Sequence, residues 1–524
     1  MFCLVGKYPS EKVITLTWST DGAPIQKSNK VSAWPIFCII NELPKEVRNR
    51  RRNLLLFGIW VGQKKPEMQT YLEMFVSKFK DFQINIGNQQ YRVLALACVF
   101  DLPAKAAVLN MKQYNGENGC TYCETKGQIH GNGCARIYDN EDAALRTKDS
   151  IRANTETLTL GVKGACALTD LPHFDITKFV VIDYMHAILE GVVKDCIKMW
   201  FDPEEISCAS SIKDRVSEVD QRLLQITPPT TFCRSPRPLE HYRNHYKASE
   251  MRNLILYYLP WLKGIVGKKY LEHAALLSFI LHIALSDSIS TANLDLLEQL
   301  IKRYQTEYRV LYPKRMWKIN LHQMAHIVPQ IRNWGPLWTC SMFTFEDGNG
   351  MIKRMVQGPT AAITSIGQHI MLNIAINNEK SANVLARKKR SKQELDGCLI
   401  TSTVTNQHCH RIRTAGTGLE LVSKNYSHIT KRNSSLVLVD DKIVSIESFA
   451  IINSQVFIEG TLCKTSPHNL FDKQTKVLSQ LQKVDYTNNN ILIRAHTTEA
   501  VLVQIKFGAE MYVCKIVNQL EKDR

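Results

Sequence analysis

The hydrophobic pattern at the start of the chain predicts three strands. Residues 13–18 form a β-branched run that ends before the turn pair Asp21-Gly22, and apolar runs follow at 33–40 and 53–61. Each run has the length of a strand and is bounded by polar or turn-forming residues. This part of the chain is therefore predicted to form a β-sheet.

A helix and a fourth strand are predicted next. Tyr71, Phe75 and Phe79 recur at helical spacing and indicate an amphipathic helix. Residues 91–100 are almost wholly apolar, which is typical of a strand that is buried at the centre of a sheet. That strand ends at Asp101. Three strands, a helix and a fourth strand that ends in an acid is the chain order of an RNase H-like core.

The remaining pattern divides into a helical middle and a β-rich end. Amphipathic segments predict helices at 183–201, 251–266, 271–285 and 293–311. Apolar runs separated by turn residues predict short strands at 434–440, 456–460, 491–495 and 500–505. The predicted fold class is α/β, with an RNase H-like core (1–112 and 319–380) and a large, mostly helical insertion that begins with a zinc-binding segment (113–318). A basic link and a small β-rich domain, whose pattern is compatible with a barrel, follow (381–524).

The charge balance changes the picture from a generic enzyme to a nucleic-acid protein. Lys and Arg number 66 against 49 acids, a net charge of +17, and such an excess favours a polyanionic partner over solubility alone. We expect DNA as partner and no membrane, since no run is long enough to span one. Basic clusters at 387–390 and 48–52 are interpreted as nuclear signals, phosphate contacts or a solvated charged face.

The cysteines are predicted to be reduced and in part metal-bound. Neither a secretory signal nor a regular disulfide framework is visible, so an intracellular protein of the nucleus is expected. Cys120-x-x-Cys123 and His322-x-x-x-His326 together offer the four ligands of a tetrahedral structural Zn²⁺ site. Separate buried thiols and core histidines are the alternative, and His130 and Cys134 are competing ligands.

Three acids stand where a catalytic site needs them. Asp21 and Asp101 follow predicted strands, and Glu346 lies on a predicted helix. Acids drawn from such positions can converge on one sheet edge and hold two Mg²⁺ ions for phosphoryl transfer. Any one acid at a turn is more often a cap, and Asp347 is the obvious rival of Glu346.

A second polar cluster, Asp183, His186 and Glu190, lies on the predicted helix 183–201. His186 and Glu190 are four residues apart, so an ion pair or a packing role on one helix face is the preferred interpretation. Contact with substrate is the less favoured alternative.

In this order the motifs resemble the catalytic region of CACTA (En/Spm-type) DDE transposases over about residues 15–370. The resemblance is carried by Thr20-Asp21-Gly22-Ala23-Pro24-Ile25, Trp34-Pro35-Ile36, Leu43-Pro44, Asp101-Leu102-Pro103-Ala104, Asn115-Gly116, Gly119-Cys120-x-x-Cys123, Asp183-Tyr184-Met185-His186, Gly335-Pro336-Leu337-Trp338 and Phe345-Glu346-Asp347-Gly348-Asn349-Gly350. The split C-x-x-C and H-x-x-x-H set is similar to the zinc site of Transib transposases and the related V(D)J recombinase subunit.

The resemblance implies an RNase H-like DDE recombinase that cleaves and joins DNA at transposable-element ends with Mg²⁺. It assigns Asp21, Asp101 and Glu346 as catalytic metal ligands. Cys120, Cys123, His322 and His326 are by the same likeness the zinc ligands, and a homodimer is expected by analogy.

Three functional hypotheses follow, of which the weakest is a zinc-stabilised helical interaction protein without a role on DNA. The first is an active DDE-type transposase, which the complete acid set favours. The second is a catalytically inert, transposase-derived DNA-binding or scaffold protein. The given sequence begins almost at the first catalytic strand, without the upstream DNA-binding segment such transposases usually carry, and this favours the second hypothesis.

Overall fold

A computed structural model of the chain shows a mixed α/β protein. The structure describes residues 12–26, 30–131, 135–139, 143–171, 173–202, 211–356, 362–383, 394–402, 408–415, 417, 419–426, 433–467, 482–507 and 510–518. Two compact units are present: Met1–Asp195 with Ser288–Ala386, and Cys196–Asp287 with Arg387–Arg524. The basic cluster at 387–390 lies outside the described residues.

The strands of the first unit form one large sheet and a small ribbon. In chain order they are β1 (Lys12–Thr20), β2 (Ala23–Gln26), β3 (Val31–Ile40), β4 (Leu55–Gly62), β5 (Gln83–Ile86), β6 (Gln89–Phe100), the ribbon strands β7 (Gln128–His130) and β8 (Ala135–Ile137), and β9 (Val180–Ile182). The four strands predicted at this end of the chain are confirmed as β1, β3, β4 and β6. The short strands β2, β5 and β9 were not predicted.

The order of strands in the large sheet places the candidate acids. β4, β3, β1, β6 and β9 lie side by side in that order. β4 and β1 are antiparallel to β3, whereas β1 and β9 are parallel to β6. β2 and β5 add antiparallel pairings to β3 and β6. The carboxyl ends of β1, β6 and β9 therefore meet at one edge of the sheet.

The aromatic helix packs against this sheet as its spacing predicts. It spans Met68–Phe79 and begins where the Glu67 side chain accepts hydrogen bonds from the amides of the first turn. Phe75 lies 4.5 Å from the buried Trp18 ring, centroid to centroid. Burial of this face of the helix and of the apolar β6 forms the core of the first unit.

The first unit contains further helices besides the aromatic one. The α-helices are Lys45–Arg48, Leu102–Val108, Lys148–Thr157, Lys194–Phe201 (which runs across the boundary with the second unit), Thr291–Leu311, Ile319–Gln323, Ile327–Trp334, Phe343–Met355 and Ala362–Asn383. The predicted helix 183–201 consists of a π-helix, Met185–Val193, that continues as the α-helix Lys194–Phe201.

The second unit combines helices with an antiparallel β structure. Its α-helices are Val216–Leu224, Leu239–Tyr242, Ala248–Asn253 and Lys268–Ala284. The predicted helix 251–266 is divided: the α-helix becomes a π-helix at Leu254–Tyr258 and a 3₁₀ turn at Leu259–Leu262. Pro260 lacks an amide hydrogen and so cannot continue the helical bonding.

The β-rich end of the chain contains a closed ring of strands. The strands are β10 (Glu394–Leu395), β11 (Cys398–Ile400), β12 (His408–Cys409), β13 (Arg411–Thr414), β14 (Glu420–Val422), β15 (Leu436–Val439), β16 (Lys442–Ile452), β17 (Gln455–Pro467), β18 (Gln482–Arg494), β19 (Thr498–Phe507) and β20 (Glu510–Lys515). β16, β15, β19, β20, β18 and β17 pair in that order, and β17 pairs back to β16. This closed ring has the barrel form that the sequence suggested.

Two sequence predictions concern the whole chain. Residues 196–287 belong to the same compact unit as the C-terminal part of the chain. The predicted division at 112, 318 and 380 did not include this grouping, and those boundaries stay a prediction. Among the helices that the structure describes, none is both long and apolar enough to cross a bilayer.

Candidate metal centre and acid site

The predicted cysteine and histidine pairs meet in the first unit. Cys120, Cys123, His322 and His326 are all buried, and their four donor atoms lie within 4.8 Å of one another. The cysteines lie in a loop, whereas His322 lies in the short α-helix Ile319–Gln323 and His326 ends the 3₁₀ turn that follows it. The predicted single helix under both histidines is thus two short helical segments, which still direct both imidazoles to the cysteines.

The donor spacing matches a tetrahedron. The distance between the Nε2 atoms of His322 and His326 is 3.3 Å. Sulfur-to-nitrogen distances are 3.6 Å from Cys120 to His326 and 3.2 Å from Cys123 to His322. Zinc–ligand bonds of about 2.3 Å to sulfur and 2.0–2.1 Å to nitrogen imply tetrahedral edges of roughly 3.3 Å between nitrogens and 3.6 Å between sulfur and nitrogen. The four residues could therefore hold a metal ion such as zinc.

The surroundings of this cluster favour metal binding. Burial opposes ionisation of Cys120, but hydrogen bonds from Cys123 and the two histidines lower the pKa of its thiol well below the ordinary value. The hydrogen bond to Cys120, followed by burial, raises the pKa of Cys123. Cys120 is thus the thiol that loses its proton more readily, and a bound ion would stabilise both thiolates. His130 is outside the cluster, and Cys134 lies outside the described residues.

Asp21 and Asp101 occupy matching positions on neighbouring parallel strands. β1 and β6 are in register with Trp18 opposite Cys98, so each aspartate comes three residues after a paired position. Asp101 caps the helix Leu102–Val108 by accepting a hydrogen bond of 2.7 Å from the Ala104 amide at Oδ1. Burial and then the charge of Asp21 raise the pKa of Asp101. The two carboxylates therefore lie close enough to repel each other.

Glu346 reaches the same place from the helix Phe343–Met355, which we call the Glu346 helix. Asn349, three residues further along it, donates a hydrogen bond of 3.4 Å to Asp21 Oδ2. Burial raises the pKa of Glu346 to about 7, the charge of Asp21 adds to that rise, and His186 opposes it. The Asn349 contact and the repulsion between the two carboxylates therefore both indicate that Glu346 lies near Asp21.

The rival acid Asp347 is engaged elsewhere. Arg51 donates two hydrogen bonds of 2.5 Å to its carboxylate, one to each oxygen. Both oxygens are thus used by a bidentate ion pair, whereas the only partner of the Glu346 carboxylate among the described residues is His186, at 3.8 Å. Of the two neighbours, Glu346 is the one with oxygens free to bind a cation.

Asp183 is the acid that the sequence interpretation placed wrongly. It follows β9, which is in register with Phe100 opposite Ile182, so it stands beside Asp101 on the third parallel strand. Both of its oxygens are occupied: Oδ1 accepts from the amides of Met185 and Met342, and Oδ2 accepts from the His186 amide and lies 2.6 Å from His186 Nδ1. Asp183 therefore positions the chain around the acid site.

His186 pairs with acids other than the one predicted. Its ion pairs are with Asp183 and Glu346, and the preferred pairing with Glu190 is not made because the segment is π-helical, which changes the spacing of side chains along the helix. Although burial works against its charge, the hydrogen bond to Asp183 raises the pKa of His186 to about 9. A cationic imidazole thus faces Glu346.

A buried lysine connects the two sites. Lys105, 1% exposed, lies one turn after Asp101 and donates a hydrogen bond of 2.9 Å to the Tyr122 hydroxyl. Tyr122 stands between the two cysteines, and its ring is 5.3 Å from that of His326. Burial lowers the pKa of Lys105 to about 8, against the charge of Asp183. Sequence reasoning missed this residue, although its position four after Asp101 was a signal.

Comparison with known proteins adds one match to this geometry. The model of a family described as a protein of unknown function (DUF1258) matches residues 6–159. The matched stretch contains Asp21, Asp101, Cys120 and Cys123, and it ends before Asp183. No curated protein matches the chain. The similarity therefore extends over the first two strand-end acids and the cysteine half of the candidate metal centre.

Proposed function

We propose that this chain is a DDE-type transposase or recombinase that cleaves DNA strands and transfers them by a two-metal mechanism. Asp21, Asp101 and Glu346 are the proposed ligands of two catalytic Mg²⁺ ions. Cys120, Cys123, His322 and His326 are the proposed ligands of a structural Zn²⁺. The resemblance of the motifs to CACTA transposases, described from the sequence, motivates this choice of activity.

One observation carries the proposal: three acids distant in sequence share one sheet edge. Asp21 and Asp101 end adjacent parallel strands, and the Glu346 helix contacts Asp21 through Asn349. The charge of Asp21 raises the pKa of both other acids. Carboxylates that repel one another in this way are typical of a site that is stabilised by cations.

The sheet supports the finer fold proposal, an RNase H-like core. Its main path runs β4, β3, β1, β6 and β9, with the first three strands antiparallel and the last two parallel to β1. This agrees with the chain order of three strands, a helix and a strand ending in an acid. The proposed insertion, 113–318, would then lie between Asp101 and Glu346, and β9 from within this stretch joins the sheet.

The residues of the proposed site would have different roles in the reaction. Bound Mg²⁺ would activate water or a 3′-hydroxyl and neutralise charge on the phosphate. Asp101 keeps one oxygen on its helix cap and presents the other, which has no hydrogen-bond partner among the described residues. Asn349 orients Asp21, and Asp183 fixes His186 beside Glu346. The Cys₂His₂ cluster would hold the loop of Tyr122 against Lys105.

The test is Mg²⁺-dependent nicking and strand transfer on supercoiled plasmid DNA. Asp101→Asn keeps the helix cap, since asparagine caps as well as aspartate, but it removes a metal ligand. We expect it to lower the rate about a thousandfold or more, the scale of losing a group that stabilises transition-state charge, and to leave salt-sensitive DNA binding intact. Equal nicking by both proteins would refute the proposed site.

The second candidate is an inert, transposase-derived DNA-binding protein. It is favoured by the net charge of +17, which accounts for DNA binding without any reaction. DNA binding by the unaltered protein, without nicking in Mg²⁺ or Mn²⁺, would support this candidate. A homodimer and a nuclear location stay predictions under both.

A further inference from the structure

Four arginines in the turn before β4 have no part in the proposed reaction. Arg48, Arg50, Arg51 and Arg52 occupy four of the five positions from 48 to 52. We call residues 48–54 the arginine turn. It joins the helix Lys45–Arg48 to the first residue of β4. The question is what so concentrated a positive charge binds.

The backbone of the arginine turn is fixed by its own hydrogen bonds. The amide of Arg50 donates to the carbonyl of Val47, that of Asn53 to Arg50 and that of Leu54 to Arg51, at 2.8–3.2 Å. The Asn53 side chain also donates to the carbonyl of Val47, at 2.7 Å. The arginine side chains therefore extend from a pre-formed support, which reduces the entropy lost on binding.

This turn is attached to the Glu346 helix. Arg51 forms the bidentate ion pair with Asp347, the residue next to Glu346. Gly348 lies so near the turn that a Cβ at that position would be 2.6 Å from Leu54 Cδ2. Only glycine permits this approach. The arginine turn is thus held within one or two residues of the proposed catalytic glutamate.

Arg50 and Arg52 remain available on either side of this anchor. Both are exposed. Arg50 uses Nε to donate to the carbonyl of Glu46, at 2.9 Å, and its outer nitrogens have no partner among the described residues. Arg52 makes no hydrogen bond or ion pair with any residue in the part of the chain that the structure describes. Arg48, in contrast, is half-buried and bonded to the Leu43 carbonyl.

From this placement we infer that Arg50 and Arg52 bind backbone phosphates of the DNA beside the bond to be cut. A guanidinium matches a phosphate with paired hydrogen bonds. The acid cluster alone would repel that DNA, so cations next to it are needed to hold the strand. The inference rests on the proposed function, because it takes the substrate of the Glu346 site to be DNA.

The experiment measures binding of a fixed DNA duplex by fluorescence anisotropy at graded salt. Arg50→Ala/Arg52→Ala should lower the slope of log K against log salt by about 1.8, since each lost phosphate contact removes roughly 0.9. Arg50→Lys/Arg52→Lys keeps the charge and should restore most of the slope. The control, Lys148→Ala/Lys302→Ala, removes two exposed lysines from other helices of the first unit and should leave the slope unchanged.

The outcomes separate this inference from the proposed function. A wild-type slope in the double alanine variant overturns the inference, whatever Asp101→Asn does to nicking. The inference is also overturned if the control variant loses as much slope as the double alanine variant. In that case any two positive charges contribute equally, wherever they lie on the protein. Tighter binding to an RNA duplex of equal length would assign the turn to another partner. Arg52→Ala alone removes a side chain that has no partner in the described part of the chain, so we expect this variant to fold and to lower the slope by about 0.9.

Discussion

At the residue scale, a directly bonded cationic side chain distinguishes the carboxylates that already have their charge matched from those that could take a metal ion. Asp183 and Asp347 stand as near to the candidate site in sequence and topology as the proposed ligands do. Each has both oxygens engaged, Asp183 by chain amides and His186, and Asp347 by Arg51. Asp21 accepts hydrogen bonds from neutral amide groups, those of Gly22 and the Asn349 side chain. Among the described residues, Glu346 and Asp101 each keep an oxygen without a hydrogen-bond partner. Residue type and spacing could not distinguish these acids, because Arg51 is 296 residues away from its partner.

A first prediction concerns Asp183 as a structural acceptor. Asp183→Ala leaves several buried donors without a partner, so it should lower the free energy of unfolding by about 3 kcal/mol. Glu190→Ala is the matched control on the same segment, since Glu190 is half-buried and should change stability by less than about 1 kcal/mol. Urea unfolding measures both. Equal stability of the two variants would contradict the assigned role.

A second prediction concerns His282 in the second unit. His282 is 1% exposed, its Nδ1 lies 2.8 Å from the Ser278 carbonyl, and burial lowers its pKa to about 4. The unfolded chain protonates near pH 6.5, so proton uptake favours unfolding, and stability is lost as the pH falls from about 6.5 towards 4. The full effect is about 3 kcal/mol.

The measurement for His282 is the difference between the wild type and His282→Phe in denaturant unfolding at pH 7.5 and pH 5. Phenylalanine fills a similar volume and does not titrate, so the variant should lose less stability on acidification. Parallel pH curves for the two proteins would show that His282 is not the group responsible.

At the scale of elements, the sequence predicted most of what forms the acid site. Residues 13–18 and 91–100 were predicted to be strands followed by acids. The structure has them as β1 and β6, which are parallel neighbours followed by Asp21 and Asp101. The three-residue β9 could not be predicted, because Val180–Ile182 is too short to carry an alternating pattern and exists as a strand only through its pairing with β6. The position of Asp183 was therefore missed.

A third prediction tests the element-level role of the metal centre. Cys120 and His326 are 206 residues apart in the sequence, so an ion bound to both would hold together elements that are distant along the chain. Removing it with a chelator should lower the melting temperature, because an ion that binds only the folded state stabilises by about 4 kcal/mol at a thousand times its Kd. Cys123→Ser should show the same loss.

The control for the metal centre is Cys166→Ser, which alters another buried thiol of the first unit, bonded to the Val108 carbonyl. It should retain one zinc ion per chain by elemental analysis, whereas Cys123→Ser should not. If the purified wild type binds no zinc, or if Cys166→Ser loses it equally, the Cys₂His₂ assignment does not hold.

At the scale of the whole molecule, the local pattern carried less information. The sequence separated a helical middle from a β-rich end, yet residues 196–287 form one compact unit with 387–524. Contacts such as the hydrogen bond of 3.0 Å from the Asn433 amide to the Pro228 carbonyl produce that grouping. The periodicity of hydrophobic residues predicts single helices and strands, but it does not predict which of them pack together. Net charge, in contrast, is a whole-molecule property that the sequence gives directly, and it predicts salt-sensitive binding to DNA.

The central claim is that Asp21, Asp101 and Glu346 form one divalent-cation site, and Mn²⁺ binding tests it most directly. Titration of the zinc-loaded protein, followed by electron paramagnetic resonance, should show up to two bound Mn²⁺, as a two-metal site requires. Asp101→Asn and Glu346→Gln should each remove this binding, whereas Asp347→Asn should retain it, because Arg51 occupies the Asp347 oxygens. Unchanged Mn²⁺ binding in Asp101→Asn and Glu346→Gln, or its loss in Asp347→Asn alone, would contradict the account.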